Sequence, residues 1–361
     1  MRKAMESPLV SLATVSILFI GIMLIYQCFS YFSNQFILWQ KEPLFNHSNI
    51  FNQSNLNNSK SEGCGDALEC ALAKTAMGNK TVIIAVVNRA YAEQDVESDN
   101  TMLDLFLNSF WLGEGTRYLI NHILLVAVDQ IAYERCQFLK MNCIKLETEG
   151  VDFKGEKVFM SQDFLKMMWK RTQFLLDVLK HGYNLIFTDT DVMWLRDPFT
   201  MLGKNETEDL QISLDSYLGD PWSQKNPINT GFYYVRSNKK TISLFESWYA
   251  HKDNSTGKKE QDILRDLING GIINKLGLRV RFLDTLYFSA FCQDSRDIRA
   301  VITVHAACCR SITAKERDLK VMFSDWKRFK KLQANSSVSP KWSRHTWCSQ
   351  SWGKSITIKG N

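Results

Sequence analysis

The sequence predicts an α/β domain built around a largely parallel sheet, and three observations carry that expectation. Apolar runs of strand length recur at 81–88, 123–128 and 184–188. Each is apolar almost throughout rather than alternating, the mark of strands covered on both faces. Between them lie stretches with apolar residues at helical spacing, so strand and helix alternate along the chain.

The first run, Thr81 to Asn88 (Thr-Val-Ile-Ile-Ala-Val-Val-Asn), reads as a buried strand, and Thr101 to Leu112 follows with Leu103, Phe106, Leu107 and Phe110 on one helical face. A second strand, Ile123 to Val128, ends at Asp129 and leads into a helix through Cys136. From Gln162 to Lys180 the residues Phe164, Leu165, Met168, Trp169, Phe174, Leu175, Val178 and Leu179 form a stripe, stopped at His181-Gly182. Such a stripe is core packing. Asn184 to Thr188 is a further buried strand, and it delivers Asp189-Thr190-Asp191 at its carboxyl end, where open α/β sheets bind ligands.

The 361 residues exceed one compact domain, which points to a large folded unit with appendages. With 45% hydrophobic and 23% charged residues the chain is not of the disordered class. Its N-terminus differs from the rest. No charge occurs between Glu6 and Lys41, and Leu9 to Phe32 is almost wholly apolar, long enough to span a bilayer as a helix. Arg2 and Lys3 precede it and orient the remainder outward. The run is longer than a cleaved signal's apolar region and ends in Tyr26, Phe29, Tyr31 and Phe32, so a retained signal anchor is expected. The expected organisation is a cytosolic tail at 1–7, an anchor at 8–32, a stem at 33–79, the folded domain at 80–331 and a loose C-terminal tail at 332–361 carrying Trp342, Trp347 and Trp352.

Seven glycosylation sequons, beginning at Asn46, Asn52, Asn57, Asn79, Asn205, Asn254 and Asn335, cluster partly in the polar stretch after the anchor. Of nine cysteines, Cys28 lies in the anchor. The remaining eight suit disulfides, with Cys136 to Cys143 a local candidate and the other pairings open. No pair has the two-residue spacing of a zinc knuckle.

Two aspartates one residue apart in extended backbone present both carboxylates to one side. A hard divalent cation takes such oxygens and would neutralise a departing diphosphate. The plain alternative is a solvated strand end or a capping pair, but carboxylates next to a buried strand are costly unless something cationic compensates them.

The run Phe187-Thr188-Asp189-Thr190-Asp191-Val192-Met193-Trp194-Leu195-Arg196-Asp197-Pro198-Phe199 resembles the metal-binding segment of plant nucleotide-diphospho-sugar transferases of glycosyltransferase family 77. Phe106 to Thr116, Gly150 to Phe153, Asn229-Thr230-Gly231-Phe232, Arg281 to Thr285 and His305-Ala306-Ala307-Cys308-Cys309 match further motifs in order. The resemblance implies a GT-A fold, a Rossmann-like domain binding a UDP-sugar, with Mn²⁺ on Asp189, Asp191 and His305. It implies donor contacts from Asn88, Arg89 and Thr190, and sugar contacts from Gln261 and Asp262. His305 follows the apolar run Val301 to Val304, and its alternative is a hydrogen-bonded core histidine. Where family 77 commonly has His-Asp-Gln-Asp, this chain has Lys259-Glu260-Gln261-Asp262, and Asp262 alternatively sits as a carboxylate at a helix N-terminus.

The implied activity is retaining transfer of arabinose, xylose or galactose to a cell-wall polysaccharide or glycoprotein, in the Golgi, by a single-pass type II protein. The competing reading is a non-catalytic lumenal carbohydrate-binding or scaffold protein on the same fold. A haloacid-dehalogenase-type phosphohydrolase is disfavoured by Met193, two residues beyond the second Asp. Asp215 reads equally as an acceptor contact or a turn residue, and Arg196 as a phosphate contact or a support for the Asp197 turn. Lys315, Arg317, Lys320, Lys327, Arg328, Lys330 and Lys331 interleave with Leu319, Met322, Trp326 and Phe329, an amphipathic helix with a solvated basic face. Nucleic-acid binding is disfavoured, despite the net charge of +6, because the domain is expected to be lumenal and lacks a recognised binding motif.

Overall fold

Residues whose side chains alternate between two apolar layers dominate the centre of the computed structural model, which describes residues 64–93, 100–146, 162–255, 257–332 and 341–352. β1 (Thr81–Val87), β2 (Ile123–Ala127), β3 (Asn142–Lys145) and β4 (Asn184–Thr188) are mutually parallel in the order β3-β2-β1-β4. Three strands extend the sheet past β4. With β5 (Val192–Trp194) set aside in a second sheet, β6 (Leu210–Leu214), β7 (Ile228–Val235) and β8 (Val280–Phe282) continue it as β7-β6-β8. β7 alone runs against its neighbours. β9 (Phe288–Ala290) and β10 (Thr303–His305) join β5 in a three-stranded sheet of order β5-β10-β9.

The two layers follow from strand alternation. Ile83, Ala85, Val87, Leu125 and Ile186 enter one core, while Val82, Ile84, Leu124, Leu185 and Phe187 enter the other, all essentially without solvent contact. Helices cover both faces. In chain order they are α1 (Ala67–Thr75), α2 (Arg89–Ala92), α3 (Met102–Leu112), α4 (Gln130–Phe138), α5 (Gln162–Lys180), α6 (Lys239–Tyr249), α7 (Glu260–Asn269), α8 (Ile272–Leu276), α9 (Ile312–Leu332) and α10 (Thr346–Gln350). α3, α4 and α9 supply the first core, and α1 and α5 to α8 the second.

Local chemistry fixes where these helices start. Thr101 and Asp104 exchange hydrogen bonds with each other's backbone N–H, both at 3.0 Å, which satisfies donors the first turn of α3 leaves unpaired. Asp129 accepts the Ala132 N–H at 2.8 Å and the Arg89 N–H at 2.6 Å, so one carboxylate fastens the starts of α2 and α4 at the carboxyl ends of β1 and β2.

Several expectations need correction. The stretch expected as stem up to 79 ends in a folded helix, α1, whose Leu72 is wholly buried. The C-terminal region is not loose over 341–352: Cys348 is bridged to Cys309 and its N–H donates to Asp318 Oδ2 at 2.7 Å, while Ser343 N–H donates to Asp325 Oδ2 at 2.6 Å. Disulfides also join Cys136 to Cys143, the local candidate, and Cys292 to Cys308. The anchor at 8–32, the tail at 1–7 and most of the stem lie outside the described residues, as does Gly150 to Phe153. No described helix is long and apolar enough to cross a membrane.

The Cys309–Cys348 bridge closes a sequence separation of 39, for which the chain-entropy argument gives about 3–4 kcal/mol. Replacing both cysteines by serine should lower the urea midpoint of unfolding accordingly. An unchanged midpoint would mean that the bonds to Asp318 and Asp325 hold the segment unaided.

Candidate active site

Asp189 and Asp191 follow β4 directly, but not in extended backbone as the spacing suggests. The Val192 N–H donates to the Asp189 carbonyl at 3.2 Å, so the pair is folded into a turn that feeds β5. The turn, rather than strand alternation, brings the two carboxylates together. His305 reaches them through register: it pairs with Val192 across β10 and β5, and the Ala306 N–H donates to the Asp191 carbonyl at 3.0 Å. Potential ligand atoms of Asp189, Asp191 and His305 all lie within 4.8 Å of one another. His305 Nε2 stands 3.3 Å from Asp191 Oδ1.

The reversed strand β7 supplies the floor. Asp189 N–H donates to the Gly231 carbonyl at 2.7 Å, and Gly231 N–H donates to Asn229 Oδ1 at 2.8 Å. A Cβ on Gly231 would stand 2.4 Å from His305 Cε1 and 2.7 Å from Asp189 Oδ2, so only glycine lets the strand pass under the cluster. Two carboxylates and an imidazole converging over such a cradle form a donor set suited to Mn²⁺ or a similar divalent ion.

Two cations from distant parts of the chain balance the carboxylates. Arg171, on α5, is buried and places Nη1 3.2 Å from Asp189 Oδ1 and Nη2 2.7 Å from Glu260 Oε1, with its guanidinium 4.5 Å from the Phe187 ring centroid. Lys315, in the first turn of α9, places Nζ 2.7 Å from Asp191 Oδ2. It is therefore not part of a solvated face, unlike Arg317, Lys327, Arg328, Lys330 and Lys331, which are exposed. Burial alone would raise the Asp191 carboxyl, but Lys315 and His305 outweigh it and hold that group well below the usual carboxylate range. Asp189 moves the other way, raised by burial against the pull of Arg171. Burial disfavours the charged forms of Lys315 and His305, yet Asp191 more than offsets this and raises both.

The remaining expected residues fall at varying distances from this centre. Thr190 is buried in the turn itself. Gln261 is tied to it through β7, its Oε1 accepting the Thr230 N–H at 3.0 Å, while the Thr230 hydroxyl donates to Glu260 Oε1 at 3.0 Å. Asp262 takes the helix-terminal role, with Oδ2 accepting the Lys259 N–H at 3.1 Å. Asn88 is buried at the end of β1, and the Arg89 side chain pairs with Glu93 near the surface. Asp215 accepts from Asn229 Nδ2 at 2.7 Å. Arg196 is structural: Nη1 donates to the carbonyls of Ile298 and Val301 at 3.1 and 2.6 Å, and its guanidinium covers the Trp326 ring.

Residues 118–319 match the family described as nucleotide-diphospho-sugar transferase. The chain belongs to that family. As a member it is a glycosyltransferase. It is 57% identical over 290 residues to an uncharacterized protein of Arabidopsis thaliana, covering 80% of this chain and 84% of that one. It is 27% identical to an Arabidopsis thaliana beta-arabinofuranosyltransferase over 61% of this chain and 41% of that protein. A UDP-D-xylose:L-fucose alpha-1,3-D-xylosyltransferase of the same plant is also 27% identical, over 53% of this chain and 47% of that one. The chain thus spans less than half the length of these two transferases. Among solved structures it is similar to mouse xyloside xylosyltransferase 1, with a TM-score of 0.38, 10% identity and coverage of 63% of this chain and 98% of that one.

Sequence reasoning missed Arg171, Lys315 and the role of Glu260, although a signal for the first two was present. Arg171 falls on the stripe of Met168, Leu175 and Val178, and Lys315 on that of Leu319, Met322 and Trp326, each a charge at a position whose spacing demands burial. Replacing Arg171 with Met should cost about 3–5 kcal/mol, because it strands Glu260 and Asp189 without a cation. A double-mutant cycle with Glu260→Gln should recover part of that loss in chemical denaturation; equal, additive losses would show that the pair is not coupled.

Proposed function

We propose that this transferase moves arabinose, xylose or galactose from a UDP-sugar to a cell-wall polysaccharide or glycoprotein with retention of configuration, using Mn²⁺. The observation that carries the reading is the convergence of Asp189, Asp191 and His305 over Gly231 at the carboxyl edge of the sheet. The names of the two transferase relatives support a pentose donor, UDP-linked in the xylosyltransferase.

Asp189, Asp191 and His305 would hold the ion, which when bound supplies positive charge to the diphosphate as it leaves. This chain's own side chains contribute the rest. Lys315 adds a fixed positive charge beside Asp191, where negative charge accumulates on the departing group. Arg171 holds Asp189 and Glu260 in fixed positions, and a low-dielectric surround strengthens each contact. Glu260 Oε2 is buried with no hydrogen-bond partner among the described residues, an acceptor suited to a hydroxyl of the donor sugar. Gln261 and Thr230 keep the start of α7 against β7 and so set that oxygen's position. The N-terminal apolar run supports a type II Golgi protein with this domain in the lumen.

The test is turnover across a panel of UDP-sugars by the full chain, with Mn²⁺ or with chelator. One donor should be turned over, and both Asp191→Ala and chelation should lower the rate by about two orders of magnitude or more. Folded protein that turns over none of these donors, or that turns one over equally well with chelator, would overturn the donor or the metal assignment respectively.

A further inference from the structure

The C-terminal segment is fastened to the rim of the site on the His305 side. Besides the Cys309–Cys348 bridge, the His345 ring stacks on Phe291 at 3.6 Å and its Nε2 lies 2.8 Å from Asp294 Oδ1. Trp352 Nε1 donates to the Cys308 carbonyl at 2.7 Å, and the Arg310 N–H donates to Ser351 Oγ at 3.1 Å.

The loop held in this way begins at the metal-site histidine. Phe291 N–H donates to the His305 carbonyl at 2.9 Å. Cys308, three residues beyond His305, is bridged to Cys292, whose Sγ lies 3.5 Å from Asp215 Oδ1. Asp215 in turn holds Asn229, which orients Gly231 beneath the cluster. A continuous line of contacts therefore runs from the cluster to the C-terminal segment.

On that rim Trp352 remains 52% exposed, although its indole is fixed by the bond to Cys308. The Arg310 guanidinium lies over its ring at 4.0 Å and has no hydrogen-bond partner among the described residues. An exposed stack of this kind adds little to stability, yet it displays an indole and a set of pre-oriented N–H donors on the loop that follows His305. A sugar ring has the complementary chemistry, with an apolar C–H face for the indole and an edge of hydroxyls for the guanidinium.

We propose that Trp352 and Arg310 form a saccharide subsite that holds the acceptor from the loop after His305. The acceptor role rests on the transferase reading above, whereas saccharide binding itself does not. The test is saturation-transfer NMR on the full chain with methyl glycosides of fucose, xylose, arabinofuranose and galactose, alongside UDP binding as a control. At least one glycoside should bind, and Trp352→Ala and Arg310→Ala should each weaken it by about tenfold while UDP binding is unchanged. Both residues are exposed, so the variants should fold; Trp352→Phe, which keeps an aromatic face, should restore part of the affinity. The proposal fails if no glycoside binds, or if the variants bind as tightly as the parent. Failure of UDP-sugar turnover with glycoside binding intact would instead overturn the transferase reading and leave the subsite standing.

Discussion

Three carboxylates crowded at the carboxyl edge of the sheet impose the constraint around which the rest of the site is arranged. Asp191 and Glu260 are almost wholly buried, and Asp189 is partly so. Each would be costly in that setting without a cation. The chain meets the demand from opposite faces of the sheet, with Arg171 reaching across from α5 and Lys315 from α9. Both helices must therefore dock in one orientation, since rotating either by a residue would remove a charge from the cluster and expose an apolar stripe. The same arrangement that solves a desolvation problem fixes a cation beside each carboxylate of the acidic turn.

The reversed strand β7 makes that crowding geometrically possible. As the neighbour of β4 it runs antiparallel, so the backbone of Gly231 lies directly beneath the turn that carries Asp189 and Asp191. A side chain there would fill the space between His305 and Asp189. The glycine and the acidic turn are thus one device contributed by two strands, and His305 completes it from a separate small sheet through its pairing with Val192.

The strands and the acidic pair were legible because continuous apolar runs are strong signals and the pair sits at the end of one of them. The match to Cys136–Cys143 was likewise local. What escaped was long-range. The reversal of β7 has no mark in an apolar run such as Ile228 to Val235, because a strand buried on both faces reads the same in either direction. Arg171 carries no mark in the stripe of α5 beyond its place between Met168 and Leu175, and Lys315 reads as part of a basic face although it stands on the stripe of Leu319 and Met322. Asp262, to which the resemblance lends a sugar contact, accepts a capping bond in the first turn of α7, the local role its position at a helix start also suggested. The C-terminal segment looked like a loose tail because the partners of His345 (Phe291 and Asp294) and of Trp352 (Cys308) lie some forty to sixty residues earlier in the chain.

The clasp between 341–352 and the loop after His305 also dictates an order of assembly. The sheet, the acidic turn and β10 all precede 341–352 in the chain, and domains tend to fold as they emerge. Cys309, Asp318 and Phe291 must wait for Cys348 and His345, so the loop after the histidine is fastened only once 341–352 has been made. A nascent chain that has not yet reached 341 would hold the acidic turn and β10 in place beside a loop still without its clasp.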